Sequence, residues 1–240
     1  MKKALILICV LAMVAFAVPA FAGFTNGNFE TGDFTGWTLG GANSADSAVV
    51  SVGLDANTNN TLQRVANGSY AARVGNQSGS FHVSSVSQTV ANWQDVAIQF
   101  AWAAVLQEPT NNVTHSASEM ADFSVRLLNL TDTTTLYDQT YNVTSLPGSF
   151  LAGATNSVAG SAGQWQFSQY FAVSLDTSAH IGDTLQLIIT ATDCSLGGHG
   201  GYVYLDEVGS TPPVITTPEP MTMLLLGLGL VGLAGFRKRS

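Results

Sequence analysis

Cysteine and basic residues are what this sequence has least of: two Cys and eight Lys plus Arg in 240 residues, with charged side chains of both signs making up 10%. Cys9 sits in an apolar N-terminal stretch, so a chain that loses that stretch keeps Cys194 alone and forms no internal disulfide. Its stability then comes from packing or a bound ion and not from covalent staples. Lys2, Lys3, Arg237, Lys238 and Arg239 lie at the two ends, which leaves Arg64, Arg73 and Arg126 against 15 acids between Glu30 and Glu207. A middle section carrying about −12 repels a phosphate backbone and excludes nucleic acid as a partner. No long stretch repeats with the 3.6-residue helical period, and no internal repeat is evident. There is no G-x-S-x-G elbow, and His82, His115 and His180 are scattered without the spacing of zinc ligands.

Two apolar blocks stand out against this background. Met1–Ala22 opens with Lys2 and Lys3, runs through an Ala4–Ala17 stretch too short to span a bilayer comfortably, and ends in the small-residue cleavage pattern Val18-Pro19-Ala20-Phe21-Ala22. Residues 1–22 read as a secretory signal peptide, with Gly23 the first mature residue. At the other end, Pro218-Glu219-Pro220 precedes the apolar Met221–Phe236 and the basic Arg237-Lys238-Arg239-Ser240. As a helix, 221–236 rises about 24 Å against a hydrocarbon core of about 30 Å, and the basic tail favours the cytoplasmic side. Tripeptide, apolar span and basic tail, in that order, resemble a PEP-CTERM sorting segment over 218–240. The resemblance implies a transmembrane helix at 221–236 and cleavage near the tripeptide by an exosortase, in a bacterium that also makes exopolysaccharide. The protein is then expected in the cell envelope or extracellular matrix, anchored to the membrane only transiently. Gly209–Thr217, with Pro212-Pro213, reads as a stiff linker that holds the domain away from the sorting segment.

The body, 23–208, consists of short β-branched or aromatic runs broken by Gly, Asn, Ser and Pro. Strands are expected near Ala48–Val52, Tyr70–Val74, Phe81–Val90, Asp95–Leu106, Asp122–Leu130, Thr135–Val143, Gln166–Leu175, Thr184–Ala191 and Gly201–Val208. Gly53–Thr61, Glu108–Met120 and Ser145–Gly163 read as loops. In Phe123-Ser124-Val125-Arg126-Leu127 the apolar residues share one face, as a half-buried strand requires. About nine strands in one domain predict an all-β fold, a single β-sandwich or jelly roll. The run Asn26-Gly27-Asn28-Phe29-Glu30, followed by Gly36-Trp37, and the run Tyr202-Val203-Tyr204-Leu205-Asp206 resemble the opening and closing strands of galactose-binding-like jelly rolls, which include carbohydrate-binding modules. That resemblance implies a structural calcium joining first and last strands, and sugar specificity in variable loops.

Calcium takes six to eight oxygen ligands. Glu30 and Asp206 match the acidic positions of that family, Asn28 adds an amide oxygen, and Asp33 is a weaker candidate. Gly197-Gly198-His199-Gly200-Gly201 is no phosphate loop, since a strand follows it and no helix opens there; His199 reads as a hydrogen-bonding corner residue and Asp193 as a turn residue. An enzyme needs a nucleophile or an acid–base pair, and Glu108 with Glu119, in one loop, is the pair considered for it. Polysaccharide processing is thus the alternative, and the main expectation is a non-enzymatic protein that binds glycan or serves in the exopolysaccharide matrix. Aromatic rings stack on pyranose faces. Trp37 and Trp102, in apolar surroundings, are assigned to the core; Trp93, beside Asn92 and Gln94, and Trp165, between Gln164 and Gln166, are expected at a wet surface as carbohydrate-binding platforms.

Overall fold

Alternation along the strands builds two sheets that share one core. The computed structural model describes residues 23–77, 80–109, 115–145, 149–158 and 161–216. The first sheet has five strands in the order β1 (Thr38–Gly40), β4 (Val83–Val90), β11 (Leu185–Thr192), β6 (Asp122–Asn129) and β7 (Thr134–Tyr141). The second orders β2 (Ala48–Ser51), β3 (Tyr70–Asn76), β12 (Gly201–Gly209), β5 (Ala97–Pro109), β9 (Ser161–Ser168) and β8 (Phe150–Val158), with β10 (Phe171–Asp176) also paired to β5. The pairings are antiparallel. The protein is an all-β sandwich of jelly-roll type, with sequence-distant strands as neighbours in both sheets.

The core between the sheets takes alternate residues of each strand: Phe123, Val125 and Leu127 from β6, Phe100, Trp102, Ala104 and Leu106 from β5, Val203 and Leu205 from β12. Trp37 and Trp102 belong to it. The intervening residues of the second sheet, Ala103, Val105, Tyr202 and Tyr204, join Trp165, Phe167 and Leu62 in a second cluster on the outer face. The central strands β5 and β12 are therefore buried on both faces, which their long apolar runs required.

The structure departs from the sequence expectation at several points, among them the short β1 and a β5 that carries Glu108 on a strand and not in the loop with Glu119. Ser145–Gly163, expected as a loop, contains β8 and the start of β9, a Ser- and Gly-rich hairpin whose polarity hides its pairing. The single run Gln166–Leu175 is two strands, because β5 is long enough for β9 to pair with Val105–Pro109 and β10 with Ala97–Trp102. At the break the Ser168 hydroxyl accepts the Ala104 N–H at 3.0 Å in place of a backbone carbonyl. Finally, the segment after β12 does not stand off the domain. The Thr216 amide and hydroxyl both reach the Ala66 carbonyl at 2.8 Å, and Ile215 lines an apolar cavity with Leu62 and Tyr170. Among the described residues no helix is long and apolar enough to cross a membrane. The signal peptide 1–22, Pro218-Glu219-Pro220 and the helix expected at 221–236 lie outside the described residues.

Candidate functional site

The outer face of the second sheet carries a polar groove of about 210 Å³. Its floor is Tyr202 and Tyr204 of β12, and Arg73 of β3 stacks its guanidinium over the Tyr202 ring at 5.7 Å. One wall is the turn that leads into the short 3₁₀ segment Ala56–Thr58, capped by Asp55, whose carboxylate accepts the Asn57 N–H at 2.7 Å. The other oxygen of Asp55 accepts the hydroxyls of Tyr202 at 2.7 Å and Tyr204 at 2.5 Å. Burial, and then the Asp55 charge, hold both phenols well above their usual pKa, so they remain donors. Asp55 is thereby held in place and fixes the wall, while Asn57 donates to Gln77 at 2.9 Å and to the Tyr202 hydroxyl at 3.0 Å. The Arg64 side chain closes the rim with one bond, Nη2 to the Val52 carbonyl at 3.3 Å, and its buried Nε has no hydrogen-bond partner among the described residues. Leu54, 45% exposed, supplies an apolar lip. The groove thus combines guanidinium and amide donors, amide acceptors and one apolar edge. Tyr202 and Tyr204 were noted in the sequence only as part of the closing strand, and the groove itself was not, because its residues come from segments up to about 150 positions apart.

The residues expected to hold calcium lie beside this face. Asp206 follows Tyr204 by two residues, shares its side of β12, and accepts the N–H groups of Ala66 (3.0 Å), Asn67 (3.2 Å) and Glu207 (2.8 Å). Burial pushes its carboxyl up to about 7 against the pull of those donors. Glu30 accepts the N–H groups of Ser69 (2.8 Å) and Tyr70 (3.0 Å), and Asn28 Oδ1 accepts the Glu30 N–H at 3.5 Å. Glu30 and Asp206 therefore grip opposite ends of one loop, 66–70. Asp33 instead closes its own turn, accepting from Thr31 at 2.7 Å and Thr35 at 2.9 Å, which hold its pKa low. The opening loop meets the last strand directly: the Val208 N–H bonds to the Gly27 carbonyl at 2.9 Å. Gly27 must be glycine, since a Cβ there would lie 1.8 Å from the Val208 carbonyl oxygen.

The expected stacking platforms are not at a surface. Trp93 and Trp165 are both 0% exposed. Trp93 packs edge-on to Phe24 and donates its indole N–H to Thr177 at 2.9 Å, and Trp165 packs on Tyr202 beneath the segment that carries Leu62. Neither ring can stack on a sugar without unfolding its surroundings, so the assignment of these two residues is corrected.

His115, from the loop after β5, reaches Cys194 with Nδ1 3.4 Å from Sγ, and its ring lies edge-on to His199 at 5.1 Å. Glu108 is buried nearby, its carboxyl pushed up to about 7 by desolvation, whereas Glu119 is held ionised by the Ser116 amide and hydroxyl at 2.7 Å each.

Residues 216–239 match the model of the PEP-CTERM protein-sorting motif. The chain carries an exosortase sorting signal. This signal marks a protein sorted to the cell envelope or exterior. A comparison of the whole sequence with curated proteins finds no match. Among solved structures, the chain is similar to a family 61 carbohydrate-binding module in complex with β-1,4-galactotriose (12% identity, 79% of this chain and 97% of that one, TM-score 0.43). It is also similar to a carbohydrate-binding module, CBM28, specific for non-crystalline cellulose (17% identity, 76% and 91%, TM-score 0.39). A third similarity is to the enzymatically active domain of tailspike protein 4 of bacteriophage CBA120 (12% identity, 80% and 22%, TM-score 0.36).

Proposed function

We propose that this exported protein binds glycan in the groove over Tyr202 and Tyr204 without turning it over, and serves in the exopolysaccharide matrix to which its sorting signal delivers it. The observation that carries the reading is the convergence of Arg64, Arg73, Asn57 and Gln77 on one polar groove floored by Tyr202 and Tyr204, a set of guanidinium and amide groups that matches sugar hydroxyls. Leu54 offers an apolar edge for the C–H face of the ring. Screening the purified protein on a glycan array tests the reading, and saturable binding with no release of reducing ends is the expected result.

A polysaccharide-processing enzyme is the second reading. Its basis is that Glu108 and Glu119 have environments that push their pKa values apart, as an acid–base pair requires. Glu108 is only 8% exposed, which favours binding over catalysis, because a polymer must reach the acid it uses.

We further propose that calcium is held between Glu30 and Asp206, with Asn28 alongside. An ionised carboxylate offers about four lone-pair sites. Glu30 spends two on backbone N–H groups and Asp206 three, so each keeps capacity for an ion. The ion would supply the charge that the buried Asp206 lacks and would tie the opening loop to the last strand through loop 66–70.

A further inference from the structure

The loop between β11 and β12 is closed on itself at its base: the Cys194 N–H bonds to the His199 carbonyl at 3.0 Å, and the Gly197 N–H to the Cys194 carbonyl at 2.8 Å. Outside it, Asp193 accepts the Gly201 N–H at 2.7 Å and the Gly200 carbonyl accepts the Gln107 N–H at 2.9 Å, so the loop is anchored to β12 and β5. This closure sets the Cys194 and His199 side chains on one side of the loop. There they meet His115, whose own loop is fastened by the Ser195 N–H to the Glu119 carbonyl at 3.2 Å. One thiol sulfur and two imidazole nitrogens then lie within 4.8 Å of one another, with Cys194 and His199 buried and His115 half-buried.

We propose that Cys194, His115 and His199 form a zinc site that pins these loops together at one end of the sandwich. Zinc bonds of about 2.3 Å to sulfur and about 2.0 Å to nitrogen, at a tetrahedral angle, place S and N about 3.5 Å apart. The Cys194 Sγ to His115 Nδ1 separation is 3.4 Å. Thiolate and imidazole donors select zinc over the hard ions calcium and magnesium, so this site is distinct in chemistry from the Glu30–Asp206 loop. Glu108 stands outside this three-residue cluster: it is more than nine-tenths buried, its Oε1 has no hydrogen-bond partner among the described residues, and its charge acts on the Cys194 thiol. On binding, Cys194 loses its S–H proton to solvent as the Zn–S bond forms, and both imidazoles bind as neutral bases. A Cys–His nucleophile is the other chemistry such a pair can offer. Cys194 is 0% exposed, and a substrate cannot approach its sulfur. The proposal is independent of glycan binding, because none of these residues lines the groove.

The test uses the purified protein after chelator treatment, with Co²⁺ as the spectroscopic probe and Zn²⁺ as its competitor. One Co²⁺ per chain is expected, with thiolate charge-transfer absorption and the strong visible bands of a tetrahedral centre, all displaced by Zn²⁺. Cys194→Ser is expected to abolish the thiolate band, and His115→Ala to weaken zinc affinity at least tenfold. Zn²⁺ is expected to raise the wild-type melting temperature by several degrees and to leave Cys194→Ser unmoved. Melting in chelator reports whether each variant folds; if Cys194→Ser does not, the half-buried His115→Ala carries the comparison. Absence of a thiolate band at saturating Co²⁺ would overturn the proposal. So would unchanged zinc affinity in His115→Ala, which would move the ion to a group such as Asp132, His180 and Asp183.

Discussion

Asp122, at the start of β6, is a carboxyl that folding makes harder to ionise. Burial pushes its pKa up to about 6, and the Thr192 hydroxyl only partly offsets this. A raised folded pKa means that the native state holds its proton after the unfolded chain, with a value near 4, has released it. The contribution is therefore fully favourable below about pH 4 and is lost as pH rises to about 6. Asp122→Asn is expected to melt with the wild type at pH 4 and above it at pH 7, and an equal gap at both pH values would contradict the assignment. Burial also explains which residues the sequence could reveal. Trp37 and Trp102 have apolar neighbours and are core. Trp93 and Trp165 have polar neighbours in sequence, yet are covered by Phe24 and by the segment around Leu62. Sequence neighbours carry no information about a cover supplied from about 70 or about 100 residues away, whether the ring stands on a strand, as Trp165 does, or between two, as Trp93 does.

At the scale of elements, the opening loop and β12 are brought together by the Gly27–Val208 contact and by two carboxylates on one loop. An ion that binds only the native state stabilises it by about 2.7 kcal/mol at 100 times its dissociation constant, enough to raise Tm by several degrees. Calcium is therefore expected to raise the melting temperature over that in excess chelator, and Glu30→Gln to remove most of the shift. Identical wild-type curves would contradict the calcium proposal, and a shift that survives Glu30→Gln and Asp206→Asn would place the ion elsewhere. The strands with strict alternation, such as β6, or long apolar runs, such as β5, were legible in the sequence because their periodicity is local. The β8–β9 hairpin was not, because Ser, Gly and Asn conceal it and its partner β5 is distant. The groove and the Cys194 cluster were hidden for the same reason. Asp55 and Tyr202, or His115 and Cys194, become neighbours only through the pairing order of the sheets.

For the whole molecule, the sorting signal and the fold make separate statements, one about destination and one about what is delivered. Removal of the expected signal peptide predicts a mature form that starts at Gly23, and exosortase processing predicts that it lacks the basic tail Arg237–Ser240 outside the inner membrane. Mass spectrometry of the secreted and envelope fractions checks this, and an intact tail in both would contradict it. The central claim is that the groove over Tyr202 and Tyr204 binds sugar, and Arg64 is its most direct probe. The Arg64 side chain makes one hydrogen bond, to the Val52 carbonyl, while its backbone bonds to Gly53 and Tyr170 are kept in alanine, so Arg64→Ala is expected to leave the sandwich folded. Loss of a hydrogen bond from a charged donor costs about 1.5–3 kcal/mol, or about tenfold or more in affinity. Calorimetric titration of wild type and Arg64→Ala with the glycan selected on the array is the decisive measurement. The account predicts saturable binding weakened at least tenfold in the variant at unchanged melting temperature, and equal affinity of the two proteins would contradict it.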